Sequence, residues 1–231
     1  RFPAKQAPVM DKSVHPGWAD EAVTLWDAAE LELETLEQPF QYHIEVDFPE
    51  DMYYYKNFQF QDELGSVHII DKNNINLWLV DPEGENVPVE LGFLPDSPAQ
   101  NDIGFELIHE PVTNTIKIVG HNINKSTNLP GKRLVAQIKT QLDPEQNLAQ
   151  FYDANARRIS IPNIAIRFFE GYSSMSDTIT RVVVPLSKFT LNKCALSEDG
   201  TTLIEPDQLL PGAVFSIKDK TNLNIEIREI T

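Results

Sequence analysis

The chain has 231 residues, with 19 basic against 35 acidic side chains and a net charge of −16. That balance excludes nucleic acid and anionic membrane surfaces as partners, since both are gripped by basic patches. The lone cysteine, Cys194, permits no intrachain disulfide, and no apolar run reaches the roughly 18 residues that cross a bilayer.

In chain order, the sequence starts at Arg1 with neither an initiator Met nor a charged-then-apolar leader, so it is expected to be a piece of a longer precursor. Val9 to Val14 alternates as a strand. Ala19 to Glu30 is expected to form a short helix, because Ala22, Leu25, Trp26 and Ala29 recur at helical spacing. Leu31 to Thr35 alternates again, and Phe40 to Phe48 is apolar at every second residue until Pro49 stops it. Further strands are predicted at Phe58 to Leu64, Val67 to Asp71, Asn76 to Val80, Ile116 to Val119, Leu134 to Thr140, Ile159 to Phe168 and Thr178 to Val184. Turn chemistry separates them, as in Asp81-Pro-Glu-Gly, Pro95-Asp-Ser-Pro and Leu129-Pro-Gly. Strands at this spacing imply an all-β sandwich with one water-facing side per sheet. Near Pro185 the texture changes, which divides the chain into residues 1–186 and 187–231. The second part, at about 45 residues, is small for an independent sandwich and is expected to be incomplete.

The informative residues are ionisable or polar groups on apolar faces. Lys12 shares a face with Met10 and Val14, Asp62 with Phe58, Phe60 and Leu64, and Asn163 with Ile159, Ile161 and Ala165. Lys and Asp are almost never fully buried unless paired. One reading is a buried Lys–Asp pair with Asn163 hydrogen-bonding nearby. The other is chemical. Burial lowers a lysine pKa and raises an aspartate pKa, so both groups can sit neutral. A neutral Lys12 amine is a nucleophile. A protonated Asp62 can donate to the Asn163 carbonyl oxygen and stabilise the oxyanion forming there. Attack of Lys12 on the Asn163 carboxamide would expel ammonia and leave an isopeptide bond. This is a single-turnover reaction of the protein on itself, and it needs neither metal nor cofactor.

These residues resemble those of Gram-positive sortase-assembled pilins, in particular their isopeptide-forming fimbrial domain. Pro8-Val-Met-Asp-Lys12-Ser-Val14 is similar to the first strand of that domain, which carries the bond-forming lysine. Tyr42-His-Ile44-Glu-Val46-Asp-Phe48-Pro49 is similar to its Tyr-x-Ile-x-Val-x-x-Pro stretch. Phe58 to Leu64 resembles the strand bearing the catalytic acid, and Ile116-Lys-Ile-Val-Gly120 the core strand that follows. Ile161-Pro-Asn163-Ile-Ala165 resembles the closing strand that supplies the asparagine. The resemblance implies an immunoglobulin-like sandwich in which Lys12 and Asn163 are joined with Asp62 as acid. That bond would close a loop of about 150 residues, worth about 5 kcal/mol on chain-entropy grounds.

Residues 187–231 resemble the opening of a collagen-adhesin B-type domain, through Phe189-Thr-Leu191-Asn-Lys193 and Leu210-Pro-Gly-Ala213-Val-Phe215. The resemblance makes Lys193 a bond-forming lysine whose partner is not in the chain, and Glu229 its acid. Phe2-Pro3-Ala4-Lys5 stands where pilins carry Tyr-Pro-Lys, which makes Lys5 the candidate sortase linkage, although Ala4 intervenes. The implied role is a structural pilus subunit, extracellular and anchored to the cell wall, with other pilin subunits as partners through sortase.

Two other classes compete with this reading. A surface adhesin would bind host ligands, with Trp18, Trp26, Trp78 and the Tyr53-Tyr-Tyr55 run as sugar platforms and Leu91 to Asp102 as a binding loop. A hydrolase lacks support. The five histidines are scattered, and Gly171-Tyr-Ser-Ser-Met175 fails the nucleophile-elbow pattern at its last residue. Asp71-Lys-Asn-Asn-Ile-Asn76 lacks the glycine and distal glutamate of a calcium loop.

Overall fold

Alternating apolar side chains force extended backbone, because only a two-residue period puts them all on one face. The computed structural model describes residues 8–18, 28–53, 55–83, 87–156, 158–170, 172–176 and 178–185, with the short stretches 195–196 and 203–204. The chain divides into two compact units, Arg1–Leu186 and Ser187–Thr231.

The first unit is built from strands. They are β1 (Val9–Pro16), β2 (Glu30–Glu32), β3 (Phe40–Asp47), β4 (Phe58–Glu63), β5 (His68–Val80), β6 (Val89–Leu91) and β7 (Gly104–Glu110). They continue with β8 (Thr115–His121), β9 (Arg133–Leu142), β10 (Tyr152–Asp153), β11 (Arg158–Asn163), β12 (Ala165–Phe169), β13 (Tyr172–Met175) and β14 (Thr180–Pro185). Two single 3-10 turns, Ile123–Lys125 and Ala149–Phe151, interrupt them.

Three sheets result. The first has the order β1-β3-β9-β5-β6, the second β13-β12-β4-β8-β7 and the third β10-β11-β14-β2. All pairings are antiparallel except that of β2 with β14. One core joins them: Val14, Tyr42, Ile44, Leu134 and Ile138 from the first sheet, Phe58, Phe60 and Ile118 from the second, Ile161 and Val182 from the third. The second unit contributes one described pair, β15 (Ala195–Leu196) antiparallel to β16 (Leu203–Ile204).

Three expectations change. The run Ile159 to Phe168 is two strands, split at Ile164, with β11 in the third sheet and β12 in the second. The two strands expected on either side of residues 72–75 are one, β5, whose register against β9 shifts between Ile70 and Ile75. The first sheet does not keep a water-facing side: Ser13, His15, Gln41, His43 and Gln137, on the face away from Tyr42 and Ile44, are all buried. Of the expected helix, residues 19–27 lie outside the described residues, and Glu30 is already strand.

Candidate functional site

Lys12 reaches the core because β1 alternates. It pairs with Ile44 of β3, and its neighbours Met10 and Val14 are buried with it. Asp62 reaches the same place from the second sheet, following Phe58 and Phe60 along β4. Asn163 is the last residue of β11, opposite Thr180 of β14. Exposure of the three residues is 1%, 0% and 4%.

These side chains, from three sheets, meet on one oxygen. Lys12 Nζ donates to Asp62 Oδ2. Asn163 Nδ2 donates to the same atom at 3.3 Å. It is the amide nitrogen that faces Asp62 Oδ2 here, whereas the sequence reading has Asp62 donate to the carbonyl oxygen. Asp62 Oδ1 is buried and accepts no hydrogen bond among the described residues. An unsatisfied carboxylate oxygen in the core is costly, and protonation relieves the charge. Burial accordingly pushes the Asp62 carboxyl up, against the opposing pull of Lys12 and Asn163. Burial pushes the Lys12 amine down, against the opposing effect of Asp62. Both shifts favour the neutral pair, a nucleophilic amine beside a protonated acid.

Sequence reading passed over two residues here. Tyr42 of β3 lies with its ring centroid 4.5 Å from Lys12 Nζ, and its hydroxyl is 3.1 Å from His68 Nε2. A tyrosine within an apolar alternation counts as hydrophobic; its signals were its place at the head of the Tyr-x-Ile-x-Val stretch and the need of a buried phenol for a polar partner.

Lys5, Lys193 and Glu229 lie outside the described residues. Among the described residues, Trp18, Trp78 and Tyr55 are engaged within the fold. Trp18 spends its indole N–H on the carbonyls of Phe40 and Thr140, at 3.1 and 3.0 Å. Trp78 donates to Gln137. Tyr55 is core, packed on Phe48, Phe58 and Phe169. Tyr53 is exposed, while Trp26 and Tyr54 lie outside the described residues. The segment Leu91 to Asp102 is pinned, through Leu94 N–H to Phe105 O at 2.7 Å and Asn122 Nδ2 to the carbonyls of Gln100 and Asp102. Beside it lies an open cleft of about 370 Å³, bordered by Lys72, Asn76, Glu90, Phe93 and Leu107.

No protein-family model and no curated protein matches the sequence. Solved structures do resemble the fold. The major pilin subunit BcpA of Bacillus cereus matches with a TM-score of 0.51 at 18% identity, over 78% of this chain and 41% of that one. A 35 kDa C-terminal fragment of a major pilin of Streptococcus agalactiae matches with a TM-score of 0.50 at 12% identity, over 93% of this chain and 68% of that one. The chain therefore spans less than half the length of the Bacillus cereus pilin. At such identities the likeness is one of fold alone: the chain is an all-β, immunoglobulin-like sandwich, as these pilins are.

Proposed function

We propose that this chain is a structural subunit of a Gram-positive surface pilus, stabilised by an isopeptide bond between Lys12 and Asn163 and polymerised head to tail by a sortase. The observation that carries the reading is the convergence of Lys12, Asp62 and Asn163 on one buried oxygen. Three polar side chains on three apolar strand faces have a common purpose if they react with each other.

Lys12 passes a proton to Asp62, and the neutral Nζ attacks Asn163 Cγ. The Cγ–Nδ2 bond breaks as Asp62 returns the proton to Nδ2, which leaves as ammonia. The second Nζ proton then passes to Asp62, and an amide N–H remains. Asp62 already sits on the leaving nitrogen, so no further acid is required. The low-dielectric surroundings both neutralise the reactants and hold them in contact.

Lys12 is near the start of the larger unit and Asn163 near its end. A covalent link between them carries tension from one end to the other without unzipping β1 from β3. Head-to-tail contacts of identical subunits are heterologous and generate open filaments, which suits a wall-anchored extracellular fibre. Lys5 is the proposed sortase linkage. In residues 187–231, Lys193 and Glu229 are proposed as the lysine and acid of a second bond.

The test is the intact mass of the denatured protein beside Lys12→Ala and Asp62→Ala. The expected result is a wild type lighter than its sequence by one ammonia, with the deficit gone in both variants. A wild type at full sequence mass would reduce the three residues to a buried polar cluster and remove the support for a pilus role.

A further inference from the structure

β1 is an edge of the first sheet, paired with β3 on one side only. Successive residues of a strand turn their N–H groups to opposite sides, so those of Lys12 and Val14 leave by the same edge. Both residues are buried, and a buried N–H needs a partner. The gap between this edge and β14 of the third sheet is bridged at two points. At the first, Val14 N–H donates to Ala28 O at 2.9 Å, while the next carbonyl, Ala29 O, takes Arg181 N–H of β14 at 2.7 Å. At the second, Lys12 N–H donates to the side chain of its own neighbour, Asp11 Oδ1, at 2.8 Å. The same oxygen accepts Thr178 N–H at 3.1 Å, from 167 residues along the chain. A carboxylate oxygen offers two lone pairs, so one atom serves both donors. Two residues on, Thr180 opens β14 and donates its hydroxyl to Asn163 O at 3.1 Å.

We infer that Asp11 is a positioning residue for the isopeptide reaction, clamping the backbone of the nucleophile to the strand that holds the electrophile. The connection runs from Lys12 N–H through Asp11 Oδ1 to Thr178, along the chain to Thr180, and from its hydroxyl to Asn163. It matters because Lys12 and Asn163 belong to different sheets, and β1 has no ladder with β11 to set their separation. A lysine side chain is long and flexible, so its contact with Asp62 does not fix the distance from Nζ to Asn163 Cγ by itself. A misplacement of about 1 Å can cost about a hundredfold in rate. Asp11 acts on backbone N–H groups alone and exchanges no proton with the reacting atoms. Once the Nζ–Cγ bond exists, it holds the two strands covalently, and the clamp has done its work.

This inference rests on the isopeptide reading, and its test separates the two. Ammonia loss is followed by intact mass at intervals after a pulse of synthesis, for wild type, Asp11→Ala, Asp11→Asn and Asp11→Glu. Ala removes the acceptor. Asn keeps an oxygen at the same position without the charge. Glu keeps the charge and carries the oxygen one methylene away. Each change is also made on Lys12→Ala, where no bond forms, and the unfolding midpoint is measured, so that rates are compared where every uncrosslinked form stays folded. Asp11→Ala is expected to react about tenfold more slowly than wild type, and Asp11→Asn within about threefold of it. Asp11→Glu should be slower than Asp11→Asn, a comparison that stands even if Asp11→Ala does not fold. A purely structural role leaves the rate untouched while the chain stays folded, so a folded Asp11→Ala that reacts as fast as wild type overturns the inference. So does an Asp11→Glu as fast as or faster than Asp11→Asn, which would assign the effect to charge. A wild type that never loses ammonia overturns the isopeptide reading itself.

Discussion

Asp62 of β4 stands opposite Ala165 of β12, only two residues beyond Asn163. Asn163 nevertheless pairs with Thr180 in another sheet. The chain changes sheets at Ile164, and that corner carries the asparagine over the acid. Both sides of the corner are tied. Ser176 N–H donates to Ala165 O at 2.9 Å, and the Thr180 hydroxyl donates to Asn163 O at 3.1 Å. The site is thus placed by backbone pairing, while the side chains need only point inward.

The buried Lys12–Asp62 pair is expected to behave as a liability when halved. Measured against an uncrosslinked reference such as Asn163→Ala, Lys12→Met strips the buried Asp62 of its partner, a loss of about 3–5 kcal/mol. Burial already raises the Asp62 pKa, and removal of Lys12 raises it further. A carboxyl raised in the folded state contributes stability below its unfolded pKa and loses it as pH climbs. Lys12→Met should therefore weaken progressively from pH 4 to pH 8. The double variant Lys12→Met with Asp62→Leu, equally uncrosslinked, should recover most of the loss and show a flatter profile. Urea unfolding of both across that range checks this. Equal pH dependence in the two would mean that Asp62 is not the responsible group.

A second pH effect has the opposite sign. His15 and His43 stack at 4.1 Å between ring centroids on the other face of the first sheet. Burial pushes His15 down to about 4. Burial, with His15 adding to it, pushes His43 down to about 3. Groups depressed in the folded state give stability that is complete above the unfolded value, near 6.5, and is lost as pH falls through the folded values. The thermal midpoint should drop between pH 6.5 and pH 3, since each tenfold loss of proton affinity on folding corresponds to about 1.4 kcal/mol. His15→Gln with His43→Gln should be less sensitive than wild type across that window. A parallel decline in both proteins would assign the acid sensitivity to the carboxylates instead.

The strands and the inward polar residues were legible because alternation registers at every second position, and Lys12, Asp62 and Asn163 each violate it once. The split at Ile164 was not legible. Nothing local breaks the pattern there, and a change of sheet is decided by which partner strand is available. The strands expected to end at Asp71 and to restart at Asn76 read as separate, but the backbone runs on as β5 and absorbs the extra residues as a register shift. The polar outer face of the first sheet read as wet because alternation encodes polarity, not exposure. Tyr42 stood out only as the head of a Tyr-x-Ile-x-Val stretch, since alternation does not tell its phenol from Phe40, Ile44 and Val46. His68 became meaningful only when the fold brought it to Tyr42.

Arg133 of β9 ties down neighbouring β3. It donates through Nε and Nη2 to the two oxygens of Asp47, and through Nη1 to Glu45 at 2.9 Å. Asp47 also pairs with it in register. A planar fork is what this geometry needs, and lysine cannot supply it. Arg133→Lys should cost about 1 kcal/mol, discounted for the partly exposed Asp47. The difference from wild type should shrink in high salt, as screening removes the charge contribution. Urea unfolding at low and high salt checks both. A loss unchanged by salt would point to the packing of the arginine stem.

Gly120 of β8 is required by a neighbour rather than by its own backbone. A Cβ there would stand 2.9 Å from Ile123 Cδ1, 3.2 Å from Cγ2 and 3.3 Å from Cγ1. Ile123, in the 3-10 turn that follows, is fully buried and cannot swing aside. Alanine is otherwise favoured over glycine in a strand by about 0.5–1 kcal/mol, so any net loss measures the clash. Gly120→Ala should cost about 1–3 kcal/mol, and Ile123→Val about 1 kcal/mol. The two together should cost less than their sum, because valine lacks the Cδ1 that the new methyl meets. A double-mutant cycle by urea unfolding reads this coupling directly. Strict additivity would show that the Ile123 contact is not what reserves the position for glycine.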